Sequence, residues 1–199
     1  MVSHPRRPPI AIALGASLLA ALLLGLPAGP APAEAEIRIS DLSVFLNDFD
    51  VTVTVVLFGA IPAALEESIH TGIATHVRYY VELWQHTRLG MDRRLQARTV
   101  ERQLTYDVLS KEYKVVPLKG EHREAFLTKD LREAQRVISE LRVGQLAPVA
   151  ALDKRELYYV RVRSDVSLGG VNSWFARMAG EAEETPWMES SLLTPIRSQ

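Results

Sequence analysis

The stretch that decides the fold class is residues 73–85, which read I-A-T-H-V-R-Y-Y-V-E-L-W-Q. Alternate positions of an extended strand point to opposite faces, so this segment divides into two sets of side chains. One face would carry Val77, Tyr79, Val81 and Leu83, and the other Arg78, Tyr80, Glu82 and Trp84. Because both faces carry large side chains, the pattern predicts a central strand that is covered on each side.

Further strand patterns lie on both sides of this segment. Residues 36–46 and 51–58 alternate with period two around turn-forming residues at 47–50, which predicts a hairpin. The apolar frame changes at Ser40-Asp41, as it does where a β-bulge inserts one extra residue. Three more strands are predicted at 94–109, 113–118 and 157–166.

Short helices are predicted between the strands. The first begins near Pro62 and runs through Ile69, and Gly72 closes it. The second begins at Asp130, with Glu133 at capping-box spacing, and runs through Leu141. Apolar residues at i, i+3, i+4 and i+7 indicate a third: Val171, Trp174, Phe175 and Met178. We therefore expect an α+β fold with a mainly antiparallel β-sheet, sandwich-like as one option, and two or three short helices after an N-terminal signal helix.

The N-terminal residues have the pattern of an export signal. Arg6 and Arg7 precede an apolar run at 10–26, which small residues and prolines follow up to residue 35. The run is slightly long for a cleaved peptide and slightly short for a spanning helix, which needs roughly 20 residues. Residues 1–35 are thus a signal peptide cut before Glu36 or a retained N-terminal membrane anchor. Either outcome places the remainder in the periplasm or on the periplasmic side of the inner membrane.

Composition limits what this remainder does. Residues 36–180 are predicted to form a single α+β domain, and residues 181–199 an acidic, flexible tail. The chain of 199 residues has no cysteine, so its fold does not rest on disulfides and thiol chemistry is excluded. Its formal net charge of −1 gives no electrostatic case for nucleic acid, whose binders need a clustered basic face, so we expect no nucleic-acid partner.

No catalytic residue, metal site or cofactor is predicted. The histidines lack metal-ligand spacing: His70, His76, His86 and His122. An oxygen-rich group is interpreted as turn-forming residues: Asp41, Asn47, Asp48 and Asp50. The chain has no G-x-S-x-G motif. A hydrolase whose histidines or carboxylates converge only in the fold stays as an alternative.

Aromatic and arginine side chains share predicted strand faces and form the candidate binding site. The residues are Arg78, Tyr80, Trp84, Tyr159, Arg161 and Arg163. Such a face suits a partner protein or another envelope component. The alternative is that a helix covers the face and that arginine stems lie over the rings.

Several stretches together resemble a bacterial family called domain of unknown function 4390. They are A-E-I-R-I-S-D-L-S-V (35–44), R-Y-Y-V-E-L-W (78–84), L-T-Y-D-V-L-S-K-E-Y-K-V (104–115), E-L-Y-Y-V-R-V-R-S-D-V (156–166) and a late tryptophan. The resemblance spans 36 to about 191, and residues 104–113 are its most specific part. It implies an exported bacterial protein and an accessory role in envelope-side signalling, and it supplies no catalytic residue.

The function expected from these observations is that of an exported, non-enzymatic binding or accessory module of the bacterial envelope. Two alternatives stay open: a membrane-anchored accessory subunit of a sensor or transporter, and a hydrolase.

Overall fold

The structure is a computed structural model that describes residues 37–47, 49–61, 63–169 and 182–195. The described residues belong to one compact unit. The expected signal helix and the expected helix at 171–178 lie outside the described residues. In the described ranges, no helix has the length and apolar character needed to cross a bilayer.

The described chain folds into two antiparallel sheets. In chain order the strands are β1 (Arg38–Leu46), β2 (Val51–Phe58), β3 (Thr75–His86), β4 (Arg93–Asp107), β5 (Glu112–Lys119), β6 (Phe126–Thr128), β7 (Glu140–Val143), β8 (Leu157–Leu168), β9 (Ala182–Glu184) and β10 (Met188–Glu189). One sheet has the order β1-β2-β7, and the other has the order β10-β8-β3-β4-β5-β6, with β9 also paired to β8. The central position predicted for residues 73–85 is confirmed, because β3 lies between β4 and β8.

The predicted β1–β2 hairpin is also confirmed, together with its bulge. The register of the two strands shifts between Ile39 and Asp41, where the apolar frame of the sequence changes. The turn is closed by Asn47, whose Oδ1 accepts from the backbone N of Phe49 at 2.8 Å and of Asp50 at 2.6 Å. This is the Asx-turn chemistry expected of these residues.

Two α-helices are present among the described residues, α1 (Ala63–His70) and α2 (Leu131–Ser139), with a short 3₁₀ turn at Val149–Ala151. Asp130 is the N-cap of α2, as predicted, and its side chain accepts from Arg132 N at 2.8 Å. The predicted end of α2 is wrong: Leu141 belongs to β7 and pairs with Val55. Leu141 fits a helical stripe, but the alternation of exposed and buried positions along β7 also fits a strand.

A single cluster of buried apolar side chains includes residues of both sheets and both helices. Its members include Ile69, Val53, Val55, Val77, Tyr79, Val81, Leu83, Val100, Leu104 and Ile138. Tyr79 is fully buried, and its hydroxyl donates to the carbonyl of Ile138 at 2.7 Å. Burial raises the pKa of Tyr79 well above its ordinary value. This hydrogen bond joins the end of α2 to the middle of β3.

The C-terminal segment differs from the expected flexible tail. β9 and β10 both pair with β8, and Leu193 forms a further bridge to Tyr158. Thr185 is buried, and its Oγ1 accepts from the backbone N of Ser164 at 2.9 Å. Acidic composition suggested solvation, but the outer edge of β8 has backbone groups that need partners, and this segment supplies them.

Candidate functional site

The six predicted site residues lie together on one face of β3 and β8, which we call the aromatic–arginine face. It consists of Arg78, Tyr80, Trp84, Tyr159, Arg161 and Arg163. Cross-strand pairing places Trp84 opposite Tyr159 and Tyr80 opposite Arg163. The other side of β3 is the core side that carries Tyr79.

Glu82 is the centre of the face. Its Oε2 accepts from Arg161 Nε at 2.7 Å and from Trp84 Nε1 at 2.9 Å, and its Oε1 accepts from Arg94 Nη1 at 2.8 Å. Burial alone would raise the pKa of Glu82, but the hydrogen bonds from Arg161, Arg94 and Trp84 outweigh it and hold that pKa below its ordinary value. The carboxylate therefore stays ionised and fixes the positions of all three side chains.

Each arginine of β8 lies over two aromatic rings. The guanidinium carbon of Arg161 is 4.1 Å from the ring centroid of Trp84 and 4.5 Å from that of Trp187. Arg163 lies 4.8 Å from Tyr80 and 5.0 Å from Trp187, and it also pairs with Glu184. These are cation–π distances. The arginines thus do lie over the rings, through their guanidinium groups.

Trp187 was not among the residues predicted from sequence. It lies just before β10, in the segment expected to be a flexible tail, so nothing linked it to the strands. Its ring contacts both arginines of β8 and is 36 % exposed. The sequence feature that indicates Trp187 as a candidate is its position as a tryptophan within an otherwise acidic segment.

One end of the face carries alternating charges. Tyr80 OH donates to Asp165 Oδ2 at 2.9 Å, and Arg78 bridges Asp165 and Glu101, with its Nε 3.2 Å from Glu101 Oε2. His76 Nδ1 lies 3.0 Å from Glu101 Oε1. Burial, and then the charge and hydrogen bond of Asp165, raise the pKa of Tyr80. Tyr80 therefore remains a neutral donor.

At the other end, Trp84 stacks on Tyr159 with ring centroids 6.4 Å apart and an interplanar angle of 17°. Tyr159 OH donates to Asp92 Oδ2 at 3.0 Å. Burial, followed by the hydrogen bond to Asp92, raises the pKa of Tyr159 to about 12. This end of the face is thereby tied to the turn between β3 and β4.

Neither helix that the structure describes covers this face. α2 is bonded to Tyr79 on the core side, and His70 of α1 bonds Tyr113 OH at 2.7 Å and packs against Tyr106. Tyr113 and Tyr106 pair across β5 and β4 in the same register as buried Leu104, so α1 also lies on the core side. The side chains of Arg78, Arg161 and Arg163 are partly exposed.

The hydrolase alternative expects histidines or carboxylates that converge in the fold, and His76 does meet a carboxylate. Its Nδ1 faces Glu101, and its Nε2 is 3.4 Å from Gln103 Nε2. Both ring nitrogens are therefore occupied, and His76 is mostly buried, whereas His122 is exposed. The pair has the composition of an acid–base site but holds strands β3 and β4 together.

The described residues contain no group of three or more histidine and acidic side chains arranged to hold a metal ion. The turn interpretation is wrong for Asp41, which lies in β1 and pairs with Val56. In the turn itself, Asn47 Nδ2 donates to Asp50 Oδ1 at 3.2 Å. Asp48 lies outside the described residues.

A buried ion pair on the core side was also missed. Arg102 is 2 % exposed and donates twice to Glu121, from Nε and Nη2, at 2.8 Å each. Its Nη1 donates to the carbonyls of Val137 and Glu140 at 2.7 Å each, at the C-terminal end of α2. The sequence feature that indicates this buried pair is an arginine on the same strand face as the apolar residues Val100 and Leu104.

The described chain is thus a mostly antiparallel β-protein. On one face of its larger sheet, arginines, carboxylates and aromatic rings of the chain bind one another. The chain belongs to the family described as Domain of unknown function (DUF4390), whose model matches residues 34–185. The resemblance noted from the sequence is thus confirmed. No curated protein and no solved structure matches the chain.

Proposed function

We propose that this chain is an exported, non-enzymatic binding or accessory module of the bacterial envelope. Its partner would be an envelope protein or another envelope component, and the aromatic–arginine face would be the contact. The observation that carries the proposal is the position of Arg161, held by Glu82 between Trp84 and Trp187 at the surface of the large sheet.

Preorganisation is the physical reason for choosing this face. Tryptophan, tyrosine and arginine are enriched among the few residues that dominate binding energy in protein interfaces, and fixing their conformations before binding lowers the cost of association. Here the hydrogen bonds to Glu82 fix Arg161 and Trp84 in advance. Trp187 and Arg161 remain partly exposed, so both can touch a partner.

The N-terminal residues support export and leave two versions of the proposal. If residues 1–35 are cut off, the module diffuses in the periplasm; if they remain, it is a membrane-anchored accessory subunit of a sensor or transporter. Intact-mass measurement of the exported protein separates the two. An N-terminus at Glu34 or Glu36 supports the first version, and an N-terminus at Met1 supports the second.

A quantitative pull-down from cell envelopes tests the contact face. The bait should be compared with its Trp187→Ala variant and with Leu192→Ala, which removes another exposed apolar side chain from the same segment. We expect Trp187→Ala to reduce capture of the partner several-fold and Leu192→Ala to leave it unchanged. Equal capture by all three, with melting curves showing that each is folded, would reject this face as the contact.

A further inference from the structure

The turn between β3 and β4 exposes two large apolar side chains. Residues 87–92, which we call the β3–β4 tip, read T-R-L-G-M-D. Leu89 is 96 % exposed and Met91 is 94 % exposed, the first and third most exposed large apolar side chains of the described residues. The aromatic–arginine face uses neither of them.

Hydrogen bonds at the base of the turn fix the conformation of the β3–β4 tip. Asp92 accepts from the backbone N of Thr87 at 2.8 Å through Oδ1 and from Tyr159 OH at 3.0 Å through Oδ2. Arg93 Nη2 donates to Gln85 Oε1 at 3.0 Å, which ties the two strands just behind the turn. Since the turn is fixed on both sides, the outward position of Leu89 and Met91 is built into the hairpin.

Arginines flank the two apolar side chains in the sequence, and another arginine lies near Leu89 in space. Arg88 precedes Leu89, Arg93 follows the turn, and the tip contains one acid, Asp92. The loop before β8 adds Arg155, which lines an open cavity of about 410 Å³ together with Arg88 and Leu89. Glu156 is the acidic residue of that cavity wall.

We propose that the β3–β4 tip docks on an anionic lipid surface. Leu89 and Met91 enter the boundary between headgroups and acyl chains, and Arg88, Arg93 and Arg155 bind lipid phosphates. Apolar side chains flanked by arginine bind such surfaces because burial of the apolar area and attraction to the phosphates add together. Guanidinium groups are also suited to paired hydrogen bonds with phosphate oxygens.

The opposite hairpin turn provides an internal comparison. Leu109, in the turn between β4 and β5, is 95 % exposed, so apolar exposure there is the same as at Leu89. Its neighbours are Asp107, Lys111 and Glu112, with more acid than base. With Asp92 and Glu156 counted, three arginines against two acids leave the β3–β4 tip net positive, whereas one lysine against two acids leaves the β4–β5 turn net negative.

The test uses the natural absence of cysteine. Single substitutions Leu89→Cys, Met91→Cys and Leu109→Cys in the full chain each give one site for an environment-sensitive fluorophore. The labelled proteins are mixed with vesicles of equal parts phosphatidylglycerol and phosphatidylcholine, and with vesicles of phosphatidylcholine alone. Blue shift and quenching by lipid-attached quenchers report whether each label has left water.

We expect a clear blue shift and lipid quenching at positions 89 and 91 on the anionic vesicles, and several-fold smaller changes on phosphatidylcholine. The label at position 109 should stay in water. Adding Arg88→Gln, Arg93→Gln and Arg155→Gln to Met91→Cys should abolish the shift at position 91.

The proposal is overturned if the labels at 89 and 91 remain in water on anionic vesicles, or if the label at 109 shifts equally. Because the readout is local, attachment through residues 1–35 does not imitate insertion of the tip. Loss of this proposal would leave the aromatic–arginine face untouched, since its test is capture of a partner.

Discussion

Arg161 and Glu82 face each other across the pair of strands β3 and β8, with Arg161 Nε donating to Glu82 Oε2 at 2.7 Å. The same guanidinium lies between the rings of Trp84 and Trp187. One ion pair therefore connects the central strand, its neighbour and the C-terminal segment. The stability of the sheet and the shape of its polar face depend on the same contacts, which makes both measurable by substitution.

Replacing Trp187 by alanine should destabilise the domain modestly. The ring contacts both Arg161 and Arg163, and exposed cation–π pairs contribute roughly 0.5–1 kcal/mol each, so we expect a loss of about 1–2 kcal/mol. Urea unfolding measures the change. Trp187→Phe should retain part of the stability, because it keeps an aromatic ring, and equal losses for both variants would contradict a contribution from the ring face.

Removing Arg102 should cost much more. Arg102→Ala leaves Glu121 without its partner and removes two hydrogen bonds at the end of α2, and breaking a buried pair in this way costs about 3–5 kcal/mol. Arg94→Ala is the matched control, since Arg94 also pairs with a glutamate but its side chain is 55 % exposed. Exposed pairs contribute about 1 kcal/mol or less. Similar losses in the two variants, measured by denaturant unfolding, would count against this assignment.

The stability of the domain should depend on the ionisation of Glu82. Because the folded pKa of Glu82 lies below its ordinary value, its contribution is complete above that value and is lost as the pH falls through the folded pKa. Glu82→Gln keeps the shape but not the charge, so it should be less stable than the natural chain at neutral pH. That difference should begin to shrink as the pH falls below about 4.5, where Glu82 of the unfolded chain takes up a proton, and should be lost once the pH is below the folded pKa. Unfolding curves across acid pH check this, and a difference that stays constant with pH would refute it.

Gly120 should not accept a side chain. Its φ is +75°, and a Cβ there would collide with the backbone carbonyl of Thr99, so Gly120→Ala should cost at least about 1–3 kcal/mol. Gly144→Ala is the control, because a Cβ at Gly144 meets nothing within 4 Å. Thermal unfolding should show a large decrease in melting temperature for the first variant and little change for the second. Comparable melting temperatures would mean that the turn at Gly120 adapts.

The strands that the sequence predicts well are those with strict alternation. In β3 and β8, period two assigns each side chain to a face, and this is why the alternation places the six site residues on the strand faces that the β3–β8 register shows. The bulge near Ser40 was predictable for the same reason, since one extra residue in a strand moves every later side chain to the opposite face.

Features that depend on pairing between distant segments could not be predicted from the sequence. Leu141 fits a helix and a strand equally well, and only its pairing with Val55 decides between them. Trp187 reaches the aromatic–arginine face because β10 pairs with β8, and composition carries no information on that pairing. The face was thus predictable as a set of side chains, whereas the ring that closes it was not.

The pairing of β9 and β10 with β8 has a consequence for where this domain ends. The family model matches residues as far as 185, but Trp187, β10 and the bridge from Leu193 to Tyr158 lie beyond that limit. A fragment cut at residue 185 would leave backbone donors and acceptors of β8 open along part of its length, and such open edges recruit strands from other molecules. The last described residues therefore cover the part of the β8 edge that would otherwise be open to strands of other molecules.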